Sequence, residues 1–378
     1  MQRTPPAGIR QPTFGWDRVA ATAFSHWALL TLMGCALLSV AKAAPRPEEG
    51  KPLQIYFVDV EGGQATLFVT PEGKSLLVDT GWPDSNGRDA DRIMAAAKLA
   101  GIKQLDFVLL THYHIDHAGG LTQLAAQIPI EMMIDHGENR EPKNAATEEV
   151  WEEYQKLLVK EKLNRIVAKA GETLPLEGVE ARVISSDGAL IEKPLGGAGG
   201  KSEGCDVAKQ YRPDHTENAR SLGVLLTFGK LRILDLGDLT SDKEVQLVCP
   251  VNKLGAVDIY IVSHHGSLTS NSPVFLNAIA PRVAIMDNGS AKGGVPSSWD
   301  AVKKSPRVED FWQLHYSDEG GAAHNTEDSF IANPAGPDAG NYLKLSAWPD
   351  GNFELFNSRT KQAKHYSPAN EMKSSGDF

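Results

Sequence analysis

Residues 111–120 read THYHIDHAGG and place three histidines and one aspartate within six positions, in a chain with eleven histidines among 378 residues. These four side chains are His112, His114, Asp116 and His117. They directly follow the apolar run LDFVLL at residues 105–110, which predicts a short strand buried on both faces. Side chains can converge at strand ends, and imidazole and carboxylate groups suit zinc and similar ions. The stretch therefore predicts a metal site.

The number of candidate ligands in this stretch indicates more than one ion. Four ligands from a single turn cannot easily all reach one tetrahedral ion. They can serve two ions, with His112 and His114 facing one and Asp116 and His117 facing the other. The expected cofactor is therefore a pair of divalent metal ions.

Later strand ends offer the remaining ligands. Asp238, at the end of LRILDLGD, is placed to be a bridging carboxylate. A histidine of SHHGS follows the strand-like run VDIYIV, and we expect His264 rather than His265 to bind metal. Asp79, in LLVDTG, also ends a strand, and we expect it to orient a histidine rather than to bind metal.

The preference for His264 comes from an internal similarity between two segments of the chain. Residues 105–112 (LDFVLLTH) match residues 257–264 (VDIYIVSH) position for position in character. Each segment follows an earlier strand-like run that ends in acid and glycine. Strand-like and helix-like runs alternate along the chain, which indicates a layered α/β fold built from two halves. The sequence around residues 350–351 (Asp-Gly) predicts a β-hairpin.

The first residues indicate export. Three arginines precede the apolar run of residues 27–40 and an Ala-Lys-Ala ending, which is the pattern of a signal peptide over residues 1–43. We therefore expect a secreted or periplasmic protein with no stable membrane domain after cleavage. An uncleaved anchor, or lipidation at Cys35, is the alternative.

Residues 44–378 are predicted to form one folded domain that carries the metal site, with a Gly-rich insertion at residues 186–217 and a C-terminal extension over about residues 300–378. Loss of four basic residues and one acidic residue with the signal peptide changes the formal net charge from −10 to −13. Nucleic acid is therefore not the expected partner, although local basic patches are compatible with this charge. Cys205 and Cys249 either form a disulfide or remain thiols, and their spacing does not decide.

Together these motifs resemble the metallo-β-lactamase superfamily over roughly residues 52–290. THYHIDHAGG matches its HxHxDH signature, VDTG its leading aspartate, LGD its later aspartate, and the histidine after IVS its last motif. The resemblance implies an αββα four-layer sandwich with a dinuclear site, usually zinc and sometimes manganese or iron. Many members supply a further histidine between the two halves, which makes His215 a candidate ligand, with Asn218 or water as the alternative.

Within the superfamily, the likeness is to the hydrolase domain of ComEC-type competence proteins. VDVEGGQATL, NARSLGVLL and SHHGS carry this likeness. The chain departs from that group at two positions, because Gln64 replaces the final acid of the opening motif and Val295 stands where the group has histidine before proline. The nuclease activity of the group is therefore not carried over to this chain.

The expected reaction is hydrolysis of an ester by a hydroxide that bridges two metal ions, with Asp116 or Asp238 accepting the proton of the attacking water. A bridging aspartate is the pattern of thioesterase and phosphodiesterase members, so the resemblance favours a phosphodiester from a small molecule or from the cell envelope. One alternative is a β-lactamase or lactonase activity. Another is a binding protein that keeps the fold and has lost catalysis.

Overall fold

Two sheets of nine strands each form the centre of the computed structural model, which describes residues 50–83 and 85–368. The strands of the first sheet are β1 (Leu53–Phe57), β2 (Thr66–Val69), β3 (Ser75–Val78), β4 (Leu105–Leu109), β5 (Ile130–Asp135), β6 (Asn164–Val167), β16 (Leu343–Ala347), β17 (Phe353–Asn357) and β18 (Gln362–Tyr366). The strands of the second sheet are β7 (Thr173–Leu174), β8 (Glu180–Ser186), β9 (Ala189–Leu190), β10 (Gly223–Phe228), β11 (Leu231–Asp235), β12 (Ile259–Ile261), β13 (Val283–Met286), β14 (Asp310–His315) and β15 (Ile331–Asn333). The first sheet has the order β18-β17-β16-β1-β2-β3-β4-β5-β6, and the second β15-β14-β13-β12-β11-β10-β8-β7 with β9 beside β8.

Helices cover the outer face of each sheet. They are α1 (Arg88–Ala100), α2 (Ile115–Ala118), α3 (Leu121–Ala125), α4 (Ala145–Glu161), α5 (Ser241–Val248), α6 (Pro273–Ile279) and α7 (Pro296–Lys303). Apolar side chains of α1, α3 and α4 pack on the first sheet, and those of α5, α6 and α7 pack on the second. A third apolar cluster fills the space between the sheets. The predicted αββα four-layer order is confirmed.

Burial on both faces explains the continuous apolar runs in the sequence. In β12, Ile259 and Ile261 face the other sheet, whereas Tyr260 packs beneath the helices. In β4, Leu109 and Val108 divide in the same way between the central core and the helix layer. Such strands lack the apolar–polar alternation of a half-exposed strand, because neither face meets water.

The internal similarity between residues 105–112 and 257–264 corresponds to a structural repeat. β4 pairs in parallel with β3 in the first sheet, and β12 pairs in parallel with β11 in the second. Each pair therefore delivers polar residues from two neighbouring strand ends, as the sequence predicted.

The segment after residue 300 is an integral part of both sheets rather than an appendage. β14 and β15 extend the second sheet, and β16 pairs antiparallel with β1 in the first. The predicted hairpin is confirmed, because β16 and β17 pair antiparallel around the Asp350–Gly351 turn.

The insertion at residues 186–217 is structured. β9 folds back on β8, and a disulfide joins Cys205 to Cys249 at the end of α5. The predicted signal peptide lies outside the described residues. In the described part of the chain, no helix combines the length and apolar character needed to cross a membrane.

Candidate metal centre

The loop after β4 carries the predicted ligands and is held by main-chain bonds. Thr111 accepts a hydrogen bond from the amide of Leu222 at 2.8 Å, and His117 accepts one from the amide of Thr80 at 2.7 Å. His112 lies one turn before α2, and Asp116 and His117 lie within that helix. Both halves of the molecule therefore fix the position of this loop.

One group of ligand atoms consists of Asp116, His117, Asp238 and His265, all buried, with their ligand atoms within 4.8 Å of one another. The Nε2 of His117 lies 3.2 Å from Oδ1 of Asp238, and the Nε2 of His265 lies 3.3 Å from Oδ2 of Asp116. The Nε2 atoms of the two histidines are 3.1 Å apart.

The hydrogen bonds behind these rings show that the group suits a cation. The Nδ1 of His117 lies 2.7 Å from the carboxylate of Asp79, and the Nδ1 of His265 lies 3.0 Å from the main-chain oxygen of Asp287. Because the main-chain oxygen and the ionised carboxylate accept, each Nδ1 carries a hydrogen and the two Nε2 atoms face each other. Two Nε2 atoms and two carboxylates that converge in this way favour a positive charge between them, which a proton on His117 supplies in the protein alone and which a divalent metal would supply in its place.

A second group consists of His112, His114 and Asp238. The Nε2 of His112 is buried, has no hydrogen-bond partner among the described residues, and lies 3.8 Å from Oδ2 of Asp238. The Nε2 of His264 lies 3.3 Å from the same oxygen. Asp238 therefore presents Oδ1 to one group and Oδ2 to the other, which is the arrangement of a bridging carboxylate.

Thr111 sets the tautomer of His112. Its hydroxyl lies 2.7 Å from the Asp79 carboxylate and 3.0 Å from Nδ1 of His112. Because the hydroxyl donates to Asp79, its oxygen can accept the Nδ1 hydrogen of His112, which leaves Nε2 available as a ligand. Asp79 thus orients His117 directly and His112 through Thr111.

The charges in the centre favour a bound cation. Burial lowers the pKa of His117, but Asp238, Asp116 and Asp79 outweigh burial and raise that pKa well above its ordinary value. Burial, together with His117 and His114, lowers the pKa of His112 well below its ordinary value. The pKa of Asp238 lies well below its usual range, because His117, His264 and His265 outweigh the effect of burial. The carboxylates of Asp116 and Asp238 are therefore ionised and the ring of His112 is neutral.

The structure brings most of the predicted ligands together. His265 belongs to the first group, whereas His264 lies beside the second, with its Nε2 3.3 Å from Oδ2 of Asp238. The expected preference for His264 as a metal ligand stays a prediction. Asn218 lies 3.5 Å from Nε2 of His264 and has a buried side-chain oxygen without a partner among the described residues. His215 is exposed and belongs to neither group.

Sequence reasoning missed three charged residues at the centre. Lys292 pairs with Oδ2 of Asp116 and lies over the ring of Trp82, 5.1 Å from its centroid. Glu141 pairs with Nε2 of His114 at 2.8 Å, and Glu217 accepts the main-chain hydrogen of Tyr113. These residues lie far from the HxHxDH stretch in sequence and follow no strand with a recognisable pattern, so the sequence carried no signal for them.

Gln64, the first departure from the ComEC-type pattern, has a structural partner. Its amide donates to Oδ2 of the buried Asp235 at 2.7 Å. Burial raises the pKa of Asp235 to about 6. An acid at position 64 would place a second carboxyl against Asp235, whereas the glutamine amide supplies the hydrogen that this buried group needs.

Clusters of imidazole and carboxylate groups at one edge of an αββα sandwich define the class of protein, a metal-dependent hydrolase. The chain belongs to the metallo-beta-lactamase superfamily, whose family model matches residues 58–285.

Curated relatives include proteins of bacterial competence. The chain is 27% identical over 238 residues to Recombination protein 2 of Haemophilus influenzae, covering 62% of this chain and 24% of that protein. It is 25% identical over 267 residues to Competence protein ComA of Neisseria gonorrhoeae, covering 70% of this chain and 30% of that protein. It is also 25% identical over 252 residues to ComE operon protein 3 of Bacillus subtilis, covering 62% of this chain and 28% of that protein. The chain thus spans less than a third of each of these proteins.

Among solved structures, the chain is similar to the metallo-beta-lactamase fold protein YhfI from Bacillus subtilis. The similarity has a TM-score of 0.41 and 14% sequence identity, and it covers 69% of this chain and 95% of that one.

Proposed function

We propose that the protein is an exported hydrolase that binds two divalent metal ions, zinc or else manganese or iron, and cleaves a phosphodiester. The observation that carries this proposal is Asp238, which faces both ligand groups with one carboxylate oxygen each. One group is Asp116, His117 and His265, and the other is His112, His114 and His264. A carboxylate shared in this way could hold one ion on each side.

The side chains of the chain prepare the site for this reaction. Two bound cations would supply an acidified water and polarise the bond it attacks. Asp79 and Thr111 hold hydrogens on Nδ1 of His117 and His112, which leaves Nε2 of each ring directed into the site, and Asp116 or Asp238 would accept the proton of the attacking water. Lys292, at the rim beside Asp116, places a positive charge where the negative charge of a phosphoryl group would develop.

The bridging arrangement favours a phosphodiester or related ester over a lactam, because a bridging aspartate is the pattern of esterase members of the superfamily. The similarity to Recombination protein 2 of Haemophilus influenzae supports the same choice, since recombination is a process of DNA, which is a phosphodiester. A β-lactamase or lactonase activity, or a binding role without catalysis, has no comparable observation in its favour.

The disulfide supports export. Disulfides such as Cys205–Cys249 persist in oxidising compartments and are rare in the cytosol. Together with the signal-peptide pattern of residues 1–43, it supports a secreted or periplasmic protein. Intact-mass measurement of protein recovered from the periplasm or medium should give a mature chain that begins at Ala44, and recovery of the unprocessed chain in the cytosol would contradict export.

The metal content of the His114→Ala variant tests the proposed site. His114 is only half-buried, so its loss should leave the fold intact while removing a ligand. We expect two ions per chain in the unaltered protein by plasma mass spectrometry, fewer in the variant, and more than about 100-fold slower hydrolysis of bis-p-nitrophenyl phosphate.

The matched control is His365→Ala, because His365 is 77% exposed on β18 and lies outside both ligand groups. This variant should keep the full metal content and the full rate of bis-p-nitrophenyl phosphate hydrolysis. A chromogenic cephalosporin tests the lactamase alternative in the same assays. Full activity of His114→Ala would reject the site, and absence of metal from the unaltered protein after dialysis against zinc or manganese would reject catalysis.

A further inference from the structure

Two carboxylates outside the ligand groups contact the loop that carries His112 and His114. They are Glu141, in the loop between β5 and α4, and Glu217, the last residue of the insertion. Neither belongs to a ligand group of the metal centre. Glu217 contacts the main chain of the ligand loop, and Glu141 contacts the ring of His114. Both can therefore affect the ligands without binding an ion themselves.

The carboxylate of Glu217 is fully buried and joins two loops of the first half to the insertion. Its Oε1 accepts the main-chain hydrogen of Arg140 at 2.5 Å. Its Oε2 accepts the main-chain hydrogen of Tyr113 at 3.2 Å and the Nε2 hydrogen of His136 at 2.9 Å. Burial raises the pKa of Glu217, but the hydrogen bonds from His136 and the two amides outweigh burial and lower that pKa below its ordinary value. The group is therefore an ionised, fully satisfied acceptor.

The contact at Tyr113 matters because this residue lies between two candidate ligands, His112 and His114. Tyr113 is also buried, and its hydroxyl donates to the main-chain oxygen of Gly137 at 2.5 Å. The backbone that carries both rings is thus tied at two points, once to Glu217 and once to the loop after β5.

Glu141 continues the same chain of contacts to the ring of His114. The main-chain amide of Glu217 donates to Oε2 of Glu141 at 2.9 Å, and this oxygen lies 2.8 Å from Nε2 of His114. Because the carboxylate oxygen accepts, Nε2 carries the hydrogen and Nδ1 is the nitrogen that can bind an ion. The side chain of His114 is 23% exposed, so close packing alone does not hold the ring. A carboxylate that accepts the second ring hydrogen fixes the orientation of such a ligand.

The other ligand group is oriented by different residues. The Nδ1 of His117 contacts the carboxylate of Asp79, and the Nδ1 of His265 contacts the main-chain oxygen of Asp287. In the described part of the chain, neither of the two carboxylates behind the ligand loop forms a hydrogen bond with this group. Their loss should therefore affect one ligand group and spare the other.

We infer that Glu217 and Glu141 are positioning residues that act in series and preform the group of His112 and His114 before an ion binds. Glu217 fixes the main chain at Tyr113, and Glu141 fixes the ring of His114. The inference rests on the proposed two-ion function and assigns the insertion a role in it, which is to deliver Glu217 to the ligand loop. Ligands that are ordered in advance do not have to be ordered when the ion binds.

Zinc titration of the chelator-treated protein tests the inference, with a competing chromogenic chelator that resolves two binding steps. Glu141→Ala removes the partner of His114 and should weaken one step by about 10–100-fold while leaving the other within about twofold. Glu141→Gln keeps an oxygen that can accept both hydrogen bonds, so it should retain most of the affinity. The matched control is Glu138→Ala, which removes an exposed carboxylate of the same loop and should change neither step.

Glu217→Gln tests the other contact in the metal-free protein. Glutamine offers one acceptor oxygen where the carboxylate offers two, so the amide hydrogen of Tyr113 or of Arg140 loses its partner. Hydrogen exchange, resolved by residue with NMR, should be about tenfold faster at one or both of these amides. The same zinc step should weaken as in Glu141→Ala. If Glu217→Gln does not fold, Glu141→Ala decides the question by itself.

A loss confined to one zinc step, with the control unchanged, supports the inference. Equal loss in both steps would show a general structural role and overturn it, and so would unchanged affinity in Glu141→Ala. Unchanged exchange at both amides would overturn the role of Glu217. Uptake of fewer than two ions by the unaltered protein rejects the proposed function instead, and the exchange rates then still decide whether Glu217 fixes the ligand loop.

Discussion

At the scale of single residues, the metal centre is built on backbone that L-residues rarely adopt. Asp79, His264 and His265 have φ values of 60°, 55° and 53°, in the left-handed region. Such conformations cost of order 1–3 kcal/mol each and persist only where surrounding contacts enforce them. Here they turn the carboxylate of Asp79 toward His117 and two successive imidazoles toward Asp238. The two histidines can therefore serve different ligand groups although they are neighbours in sequence.

Asp79→Asn is predicted to lower metal affinity by about 10–100-fold without unfolding the protein. Asparagine tolerates the left-handed conformation at this position. Its neutral amide, however, holds the Nδ1 hydrogen of His117 and the hydroxyl hydrogen of Thr111 less well than the carboxylate does. Titration of the chelator-treated protein with zinc measures the change, with Asp318→Asn, an exposed aspartate, as the control. Unchanged affinity would show that Asp79 does not orient His117.

At the scale of elements, the loop between β1 and β2 packs directly on α2. The main-chain amide of Gln64 donates to the main-chain oxygen of Asp116 at 3.2 Å. A Cβ atom at Gly63 would lie 2.2 Å from that oxygen, which is backbone and cannot rotate away. Gly63, the second glycine of EGGQ, is therefore required because the loop approaches α2 closely.

Gly63→Ala is predicted to destabilise the fold by about 1–3 kcal/mol, because the overlap forces the loop and α2 apart. The shift displaces Asp116, so hydrolysis should fall further than the loss of stability explains. Urea unfolding and rate measurements on the same preparation separate the two effects. Gly200→Ala serves as the control, because a Cβ atom there meets nothing within 4 Å. Wild-type stability in Gly63→Ala would contradict the packing described for this loop.

At the scale of the whole molecule, elements distant in sequence complete each sheet. β16, near the end of the described chain, pairs with β1 near its beginning, and β14 and β15 close the second sheet. The metal centre draws ligands from both halves, because β4 and β12 end at the same edge of the sandwich. Packing between the sheets therefore fixes the positions of the two ligand groups relative to each other.

The disulfide is predicted to stabilise the whole fold rather than the metal centre. It closes a segment with a sequence separation of 44 between Cys205 and Cys249. Replacement of both cysteines by serine should lower the free energy of unfolding by about 2–4 kcal/mol. Metal content should stay unchanged, since neither cysteine belongs to a ligand group. Denaturant unfolding of the double variant measures the loss, and addition of reductant to the unaltered protein should reproduce it. Stability equal to that of the oxidised protein would contradict this role.

The sequence by itself determined the layered fold and most of the ligand types. Short apolar runs without alternation specify strands buried on both faces, and the first polar residues after such strands must emerge at the sheet edge. His112, His114, Asp116, His117 and Asp238 could therefore be named from local order alone.

Only the tertiary structure decided which groups meet across the two halves. It placed His265 in the first ligand group and His264 beside the second, placed Lys292 and Glu141 near the candidate ligands and paired Gln64 with Asp235. It also formed the disulfide and folded the insertion into the wall of a cavity. These contacts join residues distant in sequence, and their geometry depends on how the two sheets pack, which no local pattern encodes. The physical reason is that strand formation follows from neighbouring residues, whereas the meeting of strand ends follows from the packing of the whole core.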